Sequence, residues 1–281
     1  MTHKNSERTV FFHVGLPKTA STFLQRNVFP HFKNIHFIKK HDFKHRDKII
    51  SESDSETILL SIEINPDNEK GEEKIKDVAK KYPNTYPIIV LRRHGSWLRS
   101  KYKYYLRKHG TKDFTGYFDP DENKGVLTHE NLRFYPKIKL LETYYQHPPL
   151  VLFQEELKNA PFKVIDLLAN YTGATYNKKD ISIKTVKKSY SEKQLKLVRR
   201  FNKFYRFDNS GIKSKTADFA YKKISALLLH SVAFFGYFFS GKKLKNESFI
   251  PKDIIKQVNE MYKEDWNNCV EYAKSSREVY L

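Results

Sequence analysis

A glycine, a lysine and three hydroxyl residues stand close together in the run GLPKTAST, residues 15–22. The run follows the apolar stretch TVFFHV and precedes a segment with helical spacing. Where a buried strand breaks at glycine and proline and enters a helix, several backbone N–H groups point at one place and bind an anion. Lys18 adds a mobile ammonium, and Ser21 and Thr22 add hydroxyl donors and cap the helix. The run therefore predicts a phosphate-binding loop.

This loop is not a Walker A motif, which requires a glycine directly before the lysine and a longer gap from the first glycine. Here Pro17 precedes Lys18, and only two residues separate Lys18 from Gly15. The chain also lacks a Gly-x-Gly-x-x-Gly run, which argues against an ordinary dinucleotide-binding fold. The alternative interpretation is a plain strand–turn–helix connection with a solvated lysine.

A second basic element, RRHGSWLRS over residues 92–100, directly follows the apolar run PIIVL. An arginine at the carboxyl end of a strand offers a guanidinium fork to a phosphate. Ser100 lies two helical turns further on and adds a donor to the same group. Taken alone, the pattern fits a plain basic helix equally well.

Four short, nearly continuous apolar runs predict the strands that position these elements: Thr9–Val14, Thr57–Ile64, Pro87–Leu91 and Leu150–Phe153. Such runs suit strands buried on both faces, as in a parallel sheet. Helical spacing predicts helices at Ser21–Phe29, Glu72–Lys81, Ser96–Lys108, Tyr135–Gln146, Phe162–Tyr171 and Glu192–Tyr205, and a packed helix after Pro251. The fold class is α/β, a parallel β-sheet flanked by helices. Three charged connectors are predicted as loops: Lys40–Glu56, His109–His129 and Phe207–Lys223.

The two basic elements together resemble the sulfotransferases that use 3'-phosphoadenosine 5'-phosphosulfate (PAPS). The 5'-phosphosulfate loop of that family, Gly-x-x-Lys-Thr-Gly-Thr/Ser-Thr-x-x-Leu-Gln, is matched except that Ala20 stands where glycine is common. Its 3'-phosphate motif, Arg-x-Pro-x-x-Arg-x-x-Ser, is matched at Arg92 and Ser100. His94 replaces the proline, and Trp97 occupies the inner arginine position, for which Arg99 is a substitute. The segments LVLFQEEL (150–157) and KSYS (188–191) are similar to later family segments.

The resemblance implies a P-loop-like sulfotransferase fold, with PAPS as sulfuryl donor, 3'-phosphoadenosine 5'-phosphate (PAP) as product and no metal. Sulfuryl transfer is then an in-line attack by an acceptor hydroxyl, with charge building on the bridging oxygen of the leaving nucleotide. Lys18 is placed to stabilise that oxygen. The cofactor-binding residues implied are Pro17, Lys18, Thr19, Ala20, Ser21, Thr22, Arg92 and Ser100.

The base that accepts the hydroxyl proton is expected to be partly buried near the sulfur. Glu63 is the first candidate, because it ends the run LLSIE, where apolar neighbours would raise the pKa of a carboxyl. Similar bacterial enzymes carry a glutamate there. The alternative is a strand-end glutamate in solvent or paired with a lysine or arginine. His36, His41 and His45 are the rival bases, since other branches of the family use histidine.

Charge is the unusual feature of the composition: 52 Lys and Arg against 32 Asp and Glu give a net charge of +20. This excess favours an anionic partner. A nucleic-acid-binding protein is the non-enzyme alternative, but the chain shows no zinc finger, RNP signature or clear helix-turn-helix. A nucleotide or small-molecule kinase is the enzyme alternative, which the missing Walker glycines disfavour. Lys101–Lys108 interleaves tyrosines with cations, which would suit a glycan or glycolipid as the acceptor. The alternative is a helix that buries its tyrosines and exposes its lysines to solvent.

One cysteine, Cys269, rules out an intrachain disulfide, and the N-terminal residues show no signal-peptide core. We therefore expect a cytoplasmic protein. The apolar stretch Ile224–Phe239 is shorter than a membrane span and is flanked by lysines. It is either a packed helix or an interfacial segment, which would give a peripheral membrane contact over residues 224–243.

A chain of 281 residues without internal repeats is close to the upper limit for one hydrophobic core. No composition shift marks a linker. The sequence therefore predicts a single domain over residues 1–281, with a core over about 9–205 and a helical C-terminal part over about 206–281.

Overall fold

A five-stranded parallel sheet is the centre of the fold. The computed structural model describes residues 8–66, 68–183, 190–205, 214–238 and 249–280, with the backbone alone at 215 and 236–238. The strands are β1 (Thr9–Gly15), β2 (His36–Ile38), β3 (Thr57–Ser61), β4 (Thr85–Leu91) and β5 (Leu150–Phe153). They lie in the order β2-β3-β1-β4-β5, and each pair is parallel. The α/β fold with a parallel sheet is confirmed.

Helices connect the strands and follow the last one. They are α1 (Ser21–Phe23), α2 (Arg46–Glu52), α3 (Glu69–Lys81), α4 (His94–Arg107), α5 (Phe114–Tyr117), α6 (His129–Leu132), α7 (Tyr135–Tyr144), α8 (Gln154–Asn159), α9 (Pro161–Thr172), α10 (Glu192–Phe204), α11 (Lys215–Phe238), α12 (Lys252–Met261) and α13 (Lys263–Glu278). A π-helical segment, Leu24–Val28, and a 3₁₀ turn, Phe29–His31, continue the path of α1.

The chain divides into two compact units, each discontinuous in sequence. The first comprises Met1–His94, Glu130–Val186 and Met261–Leu281, and it holds the whole sheet. The second comprises Gly95–His129 and Lys187–Glu260. The single domain over 1–281 stays a prediction.

The core of the first unit explains why the apolar runs form parallel strands. β1, β3, β4 and β5 are buried along nearly their whole length, which requires cover on both faces of the sheet. One core cluster joins Phe11, Leu59, Val90 and Leu152 of these strands to Leu168 of α9. The predicted strand at 57–64 ends at Ser61, but Ile62 and Ile64 still donate backbone hydrogen bonds to His13 and Val14.

The predicted loops are wrong in part. Lys40–Glu56 contains α2, His109–His129 contains α5 and the first residue of α6, and the connector over 207–223 contains the start of α11. Residues 206–213 lie outside the described residues. These elements escaped prediction because two are one-turn helices and the other segments are dominated by charge, which hides helical periodicity. The helical segment predicted after Pro251 is confirmed, but it is divided into α12 and α13.

The link between Glu63 and α3 is packed too closely for a side chain at Gly71. Gly71 lies in the first turn of α3, where its N–H donates to the cap residue Asn68. A Cβ at position 71 would stand 1.9 Å from the carbonyl oxygen of Asn65 and 2.8 Å from its carbonyl carbon. Since both atoms are backbone, neither can rotate away.

We expect Gly71→Ala to lower the free energy of unfolding by about 1–3 kcal/mol, as overpacking does. Helix propensity alone predicts the opposite sign, because alanine is favoured over glycine by about 1 kcal/mol. Urea denaturation measures the difference. Lys74→Ala, an exposed position on the same helix, is the control and should change stability by less than about 0.5 kcal/mol. A Gly71→Ala variant as stable as the parent would contradict the packing described.

Candidate active site

The residues singled out in the first unit gather at one edge of the sheet. Gly15 ends β1, Arg92 directly follows β4, and Glu63 lies two residues beyond β3. Because the strands are parallel, their carboxyl ends share one edge. β1 lies between β3 and β4, so the chain reverses its winding there, and such a switch point opens a crevice that binds ligands. The fold thus brings Lys18, Glu63 and Arg92 to one region.

The loop after β1 is folded tightly around Leu16. The Leu16 N–H donates to the carbonyl of Val90 at 3.1 Å, which ties the loop to β4. The Leu16 carbonyl accepts from the Thr19 hydroxyl at 2.6 Å and from the Ser21 hydroxyl at 3.1 Å. Thr19 and Ser21 are buried. Both hydroxyls therefore shape the loop.

Three residues of the loop have left-handed backbone conformations: Gly15 (φ 108°), Lys18 (φ 72°) and Ala20 (φ 75°). Alternation of left- and right-handed residues turns successive N–H groups toward one side and forms an anion-binding concavity. Ala20 is the N-cap of α1 in this conformation, which explains why glycine is common there in the family resembled.

Four backbone N–H groups of the loop can donate hydrogen bonds to a bound anion. Within the described part of the chain, the N–H groups of Thr19, Ala20, Ser21 and Thr22 donate no hydrogen bond to a backbone or side-chain acceptor. The first turn of α1 contains no acidic residue. Unsatisfied N–H groups at a helix start attract negative charge through the helix dipole. The loop can therefore hold a phosphate-sized anion.

Arg92 is aligned with this loop, since its Nη1 donates to the Lys18 carbonyl at 3.4 Å. The next two residues fix the turn after β4. The Arg93 N–H donates to Glu155 Oε1 at 3.1 Å, and His94 Nε2 lies 2.9 Å from Asp265 Oδ2. These contacts leave the Arg92 guanidinium at the loop.

His94 is a structural residue, which accounts for its departure from the proline of the family motif. Its ring is buried and stacks between Phe134 (4.4 Å between centroids) and Tyr262 (5.0 Å). Burial lowers the pKa of His94, and its contact with Asp265 opposes that shift. Asp265 also accepts from the N–H groups of Phe134 and Tyr135. Sequence reasoning missed Asp265, because 171 residues separate it from His94.

Glu63 is paired with a lysine. Its carboxylate lies 3.3 Å from the ammonium of Lys40, with about a quarter of the side chain exposed. The Cα of Glu63 is only 3.4 Å from where a Cβ on Gly15 would lie, so glycine at position 15 allows this close approach. The paired alternative describes Glu63 better than enclosure by apolar neighbours.

The rival histidines have other contacts. His36 Nδ1 lies 2.7 Å from the Ser53 hydroxyl, and His41 lies 3.4 Å from Asp42. His45 is exposed at the start of α2. Among the described residues, none of the three forms a hydrogen bond with the loop.

His13 is a residue of this region that sequence reasoning missed. Its Nδ1 lies 2.7 Å from the Ser61 hydroxyl, which also accepts from Gln25 Nε2 at 3.0 Å. The network joins β1, β3 and the π-helical segment Leu24–Val28, which follows the loop. A sequence signal exists, because His13 and Ser61 interrupt two apolar runs and are paired in the parallel register.

The remaining candidates are on α4, in the second unit. Ser100 is half-buried and Arg99 is exposed. Trp97 is buried, and the ammonium of Lys101 lies 5.2 Å from its ring centroid. Trp97 is thus a packing residue at the position where the family motif has an arginine. Of the segment 188–191, residues 188 and 189 lie outside the described residues, and Ser191 caps α10.

Comparison with known proteins finds sulfotransferases among similar solved structures. A sulfotransferase from Alicyclobacillus acidocaldarius is 17% identical over 69% of this chain and 92% of its own, with a TM-score of 0.47. Mouse sulfotransferase SULT7A1, solved in complex with PAP, is 14% identical over 62% of this chain and 61% of its own, with a TM-score of 0.39. At these values neither likeness assigns an activity. No family model and no curated protein matches the chain.

Burial of His13 predicts a pH dependence of stability. The ring is fully buried, its Nε2 has no hydrogen-bond partner among the described residues, and burial lowers its pKa to about 3. Above about pH 6.5, His13 is neutral in the folded and unfolded states. Below that pH only the unfolded state takes up the proton, so stability falls with pH until about pH 3, at about 1.4 kcal/mol per unit.

The variant His13→Asn removes this contribution. We expect the difference in unfolding free energy between wild type and His13→Asn to shrink by about 2 kcal/mol between pH 7 and pH 5. Urea titrations at both pH values measure it, with His41→Asn, at an exposed position, as control. A difference that stays constant between the two pH values would show that His13 is not kept neutral by burial.

Proposed function

We propose that this protein is a PAPS-dependent sulfotransferase that transfers a sulfuryl group to an acceptor hydroxyl. The observation that carries the proposal is the loop of residues 18–22, whose backbone donors lie beside Arg92 at the switch point of the sheet. A nucleotide with phosphate groups at both ends of its ribose suits two such basic elements. The motif resemblance supplies the identity of that nucleotide.

The loop binds the 5' side of the nucleotide in this proposal. The N–H groups of residues 18–22 and the Lys18 ammonium surround the 5'-phosphate, and Pro17 sets the turn. Thr22 supplies the side-chain hydroxyl donor, because Thr19 and Ser21 already donate to the Leu16 carbonyl. Lys18 stabilises the charge that develops on the bridging oxygen, which is where a fixed cation lowers the barrier most.

Arg92 and Ser100 bind the 3'-phosphate in this proposal, as the motif resemblance implies. The Arg92 guanidinium is a bidentate donor, and its hydrogen bond to the Lys18 carbonyl anchors the side chain at the loop. An anchored arginine loses less side-chain entropy on binding than a mobile one, which favours affinity.

Glu63 accepts the proton of the acceptor hydroxyl in this proposal. The ammonium of Lys40, 3.3 Å away, holds the Glu63 carboxylate in place, and a carboxylate oxygen can accept the proton. PAPS supplies the sulfuryl group: the acceptor oxygen bonds to sulfur, the bond from sulfur to the bridging oxygen breaks, and PAP leaves with the electron pair. The proton of the hydroxyl moves to Glu63.

The acceptor we propose is a glycan or glycolipid, in a cytoplasmic protein. Two features of α4 support a sugar: the ammonium of Lys108 lies 5.8 Å from the ring of Tyr104, and that ring is 41% exposed. An exposed aromatic face beside cations suits a sugar that carries negative charge. Tyr102 is buried in the same helix and serves packing.

Nucleotide binding tests the proposal first. PAP at about a hundred times its dissociation constant should stabilise the fold by about 2.7 kcal/mol and raise the melting temperature by about 5 °C or more. AMP, which lacks the 3'-phosphate, should raise it less. The Arg92→Ala variant should lose this preference for PAP. No shift with PAP in the wild type would overturn the proposal.

Lys18→Ala should lower the rate of sulfate transfer from PAPS by at least about a hundredfold, because it removes a cation from the developing charge. Lys44→Ala, which removes an exposed lysine elsewhere in the first unit, is the control and should retain the rate. Activity should also persist in excess EDTA. Phosphoryl transfer from ATP that requires Mg²⁺ would favour the kinase alternative.

Glu63→Gln should bind PAP as the wild type does and lose most turnover, since the amide cannot accept the proton. The thermal shift with PAP and the transfer rate separate the two effects. Turnover near the wild-type value would remove Glu63 from the mechanism and make His36, His41 and His45 the next variants to test.

A further inference from the structure

Helix α11 buries one side and exposes an apolar face on the other. Ser225, Leu229 and Ala233, spaced four residues apart, are 1–4% exposed. Opposite them lies what we call the α11 apolar face, Ile224, Leu227, Leu228, Phe234 and Phe235, whose members are 39–66% exposed. Its spacing of i, i+3, i+4, i+10 and i+11 places these side chains on one stripe of the helix.

The buried side of α11 packs against helix α10. Gln194 Nε2 of α10 donates to the Ala233 carbonyl at 3.1 Å, and the Tyr190 hydroxyl contacts His230. The two helices pack against each other. Leu195 and Val198 of α10 are fully buried. The α11 apolar face is therefore not the side used for packing against α10.

Exposed apolar residues of this size are concentrated on α11. Elsewhere in the described chain Tyr104, Val126, Ile183, Met261 and Val279 are exposed singly, and Phe204 and Tyr205 are exposed together at the end of α10. Scattered exposed residues are ordinary, whereas a contiguous stripe marks a binding surface. No charged residue occurs between Ile224 and Phe238.

The positive charge of the second unit indicates the kind of partner that the α11 apolar face binds. The second unit carries 24 of the 52 lysines and arginines and 10 of the 32 acidic residues, a net charge of +14 in 109 residues. Lys222 and Lys223 stand at the N-terminal end of the face and are exposed. Two copies of so cationic a unit would repel each other if joined face to face. An anionic lipid surface instead attracts the cations and receives the apolar side chains.

We propose that the α11 apolar face docks the protein on an anionic membrane surface. The helix lies along the interface: the apolar side chains enter the boundary of headgroups and acyl chains, and the lysine stems extend toward the headgroups. Among the described residues, no helix is both long and apolar enough to span a bilayer. The α11 apolar face shares no residue with the proposed nucleotide site, so this proposal does not depend on the sulfotransferase activity.

Vesicle sedimentation with the full-length protein tests the proposal. The wild type should sediment with vesicles of phosphatidylcholine containing about a third phosphatidylglycerol, and at least about tenfold more weakly with phosphatidylcholine alone. Binding to the anionic vesicles should weaken as salt rises from 0.05 to about 0.5 M and should not vanish, because the apolar contribution is not screened.

The double variant Leu227→Gln/Phe235→Gln should bind anionic vesicles at least about tenfold more weakly, since two apolar side chains no longer leave water. Val126→Ser/Val279→Ser removes two equally exposed apolar side chains elsewhere and is the matched control. Both variants should keep the wild-type melting temperature and thermal shift with PAP, which shows that they fold.

Two results would overturn the proposal. One is sedimentation of Leu227→Gln/Phe235→Gln equal to that of the wild type, which would leave only nonspecific attraction between cations and lipid. The other is a lipid-free dimer that this double variant converts to a monomer in analytical ultracentrifugation, which would assign the face to a second copy of the chain.

Discussion

The hydrogen bond from the Leu16 N–H to the Val90 carbonyl is the contact on which the candidate site depends. It ties the chain to β4 where β1 ends and the loop begins. The Leu16 carbonyl then accepts hydrogen bonds from the Thr19 and Ser21 hydroxyls. The backbone N–H groups of the turn do not donate to that carbonyl and can bind an anion instead. Arg92 reaches the same turn because it follows Val90 by two residues.

The order of the parallel strands brings further functional side chains to the loop. β1 has β3 on one side and β4 on the other, so Glu63 and Arg92 flank the loop from opposite sides. The register also pairs His13 with Ser61, and Gln25, in the helical segment after the loop, donates to the Ser61 hydroxyl. A network in which each bond fixes another element favours one geometry over alternatives. The loop is thus tied to β4 through the backbone of Leu16, and the segment after it is tied to β3 through Gln25.

Sequence reasoning predicted the strands that supply the site and the loop itself, because continuous apolar runs and a Gly-Pro break are local signals. It missed the contacts that hold the parts in place. Asp265 and Glu155 act on His94 and Arg93 across 171 and 62 residues, and no local pattern reports such a distance. The pairing of Glu63 with Lys40 depends on the path of the chain around β2, a three-residue strand too short to show periodicity. The net charge likewise gains meaning only when the fold assigns most of the excess to the second unit.

Transfer of labelled sulfate from PAPS to a panel of oligosaccharides, glycolipids and phenols by the purified 281-residue protein is the decisive measurement. We expect label on a hydroxyl-bearing acceptor together with an equal amount of PAP, with sugar acceptors favoured over phenols. Labelled product in excess of PAP would contradict sulfuryl transfer from PAPS. So would absence of label from every acceptor when PAP still binds tightly, which would leave a nucleotide-binding protein without this chemistry.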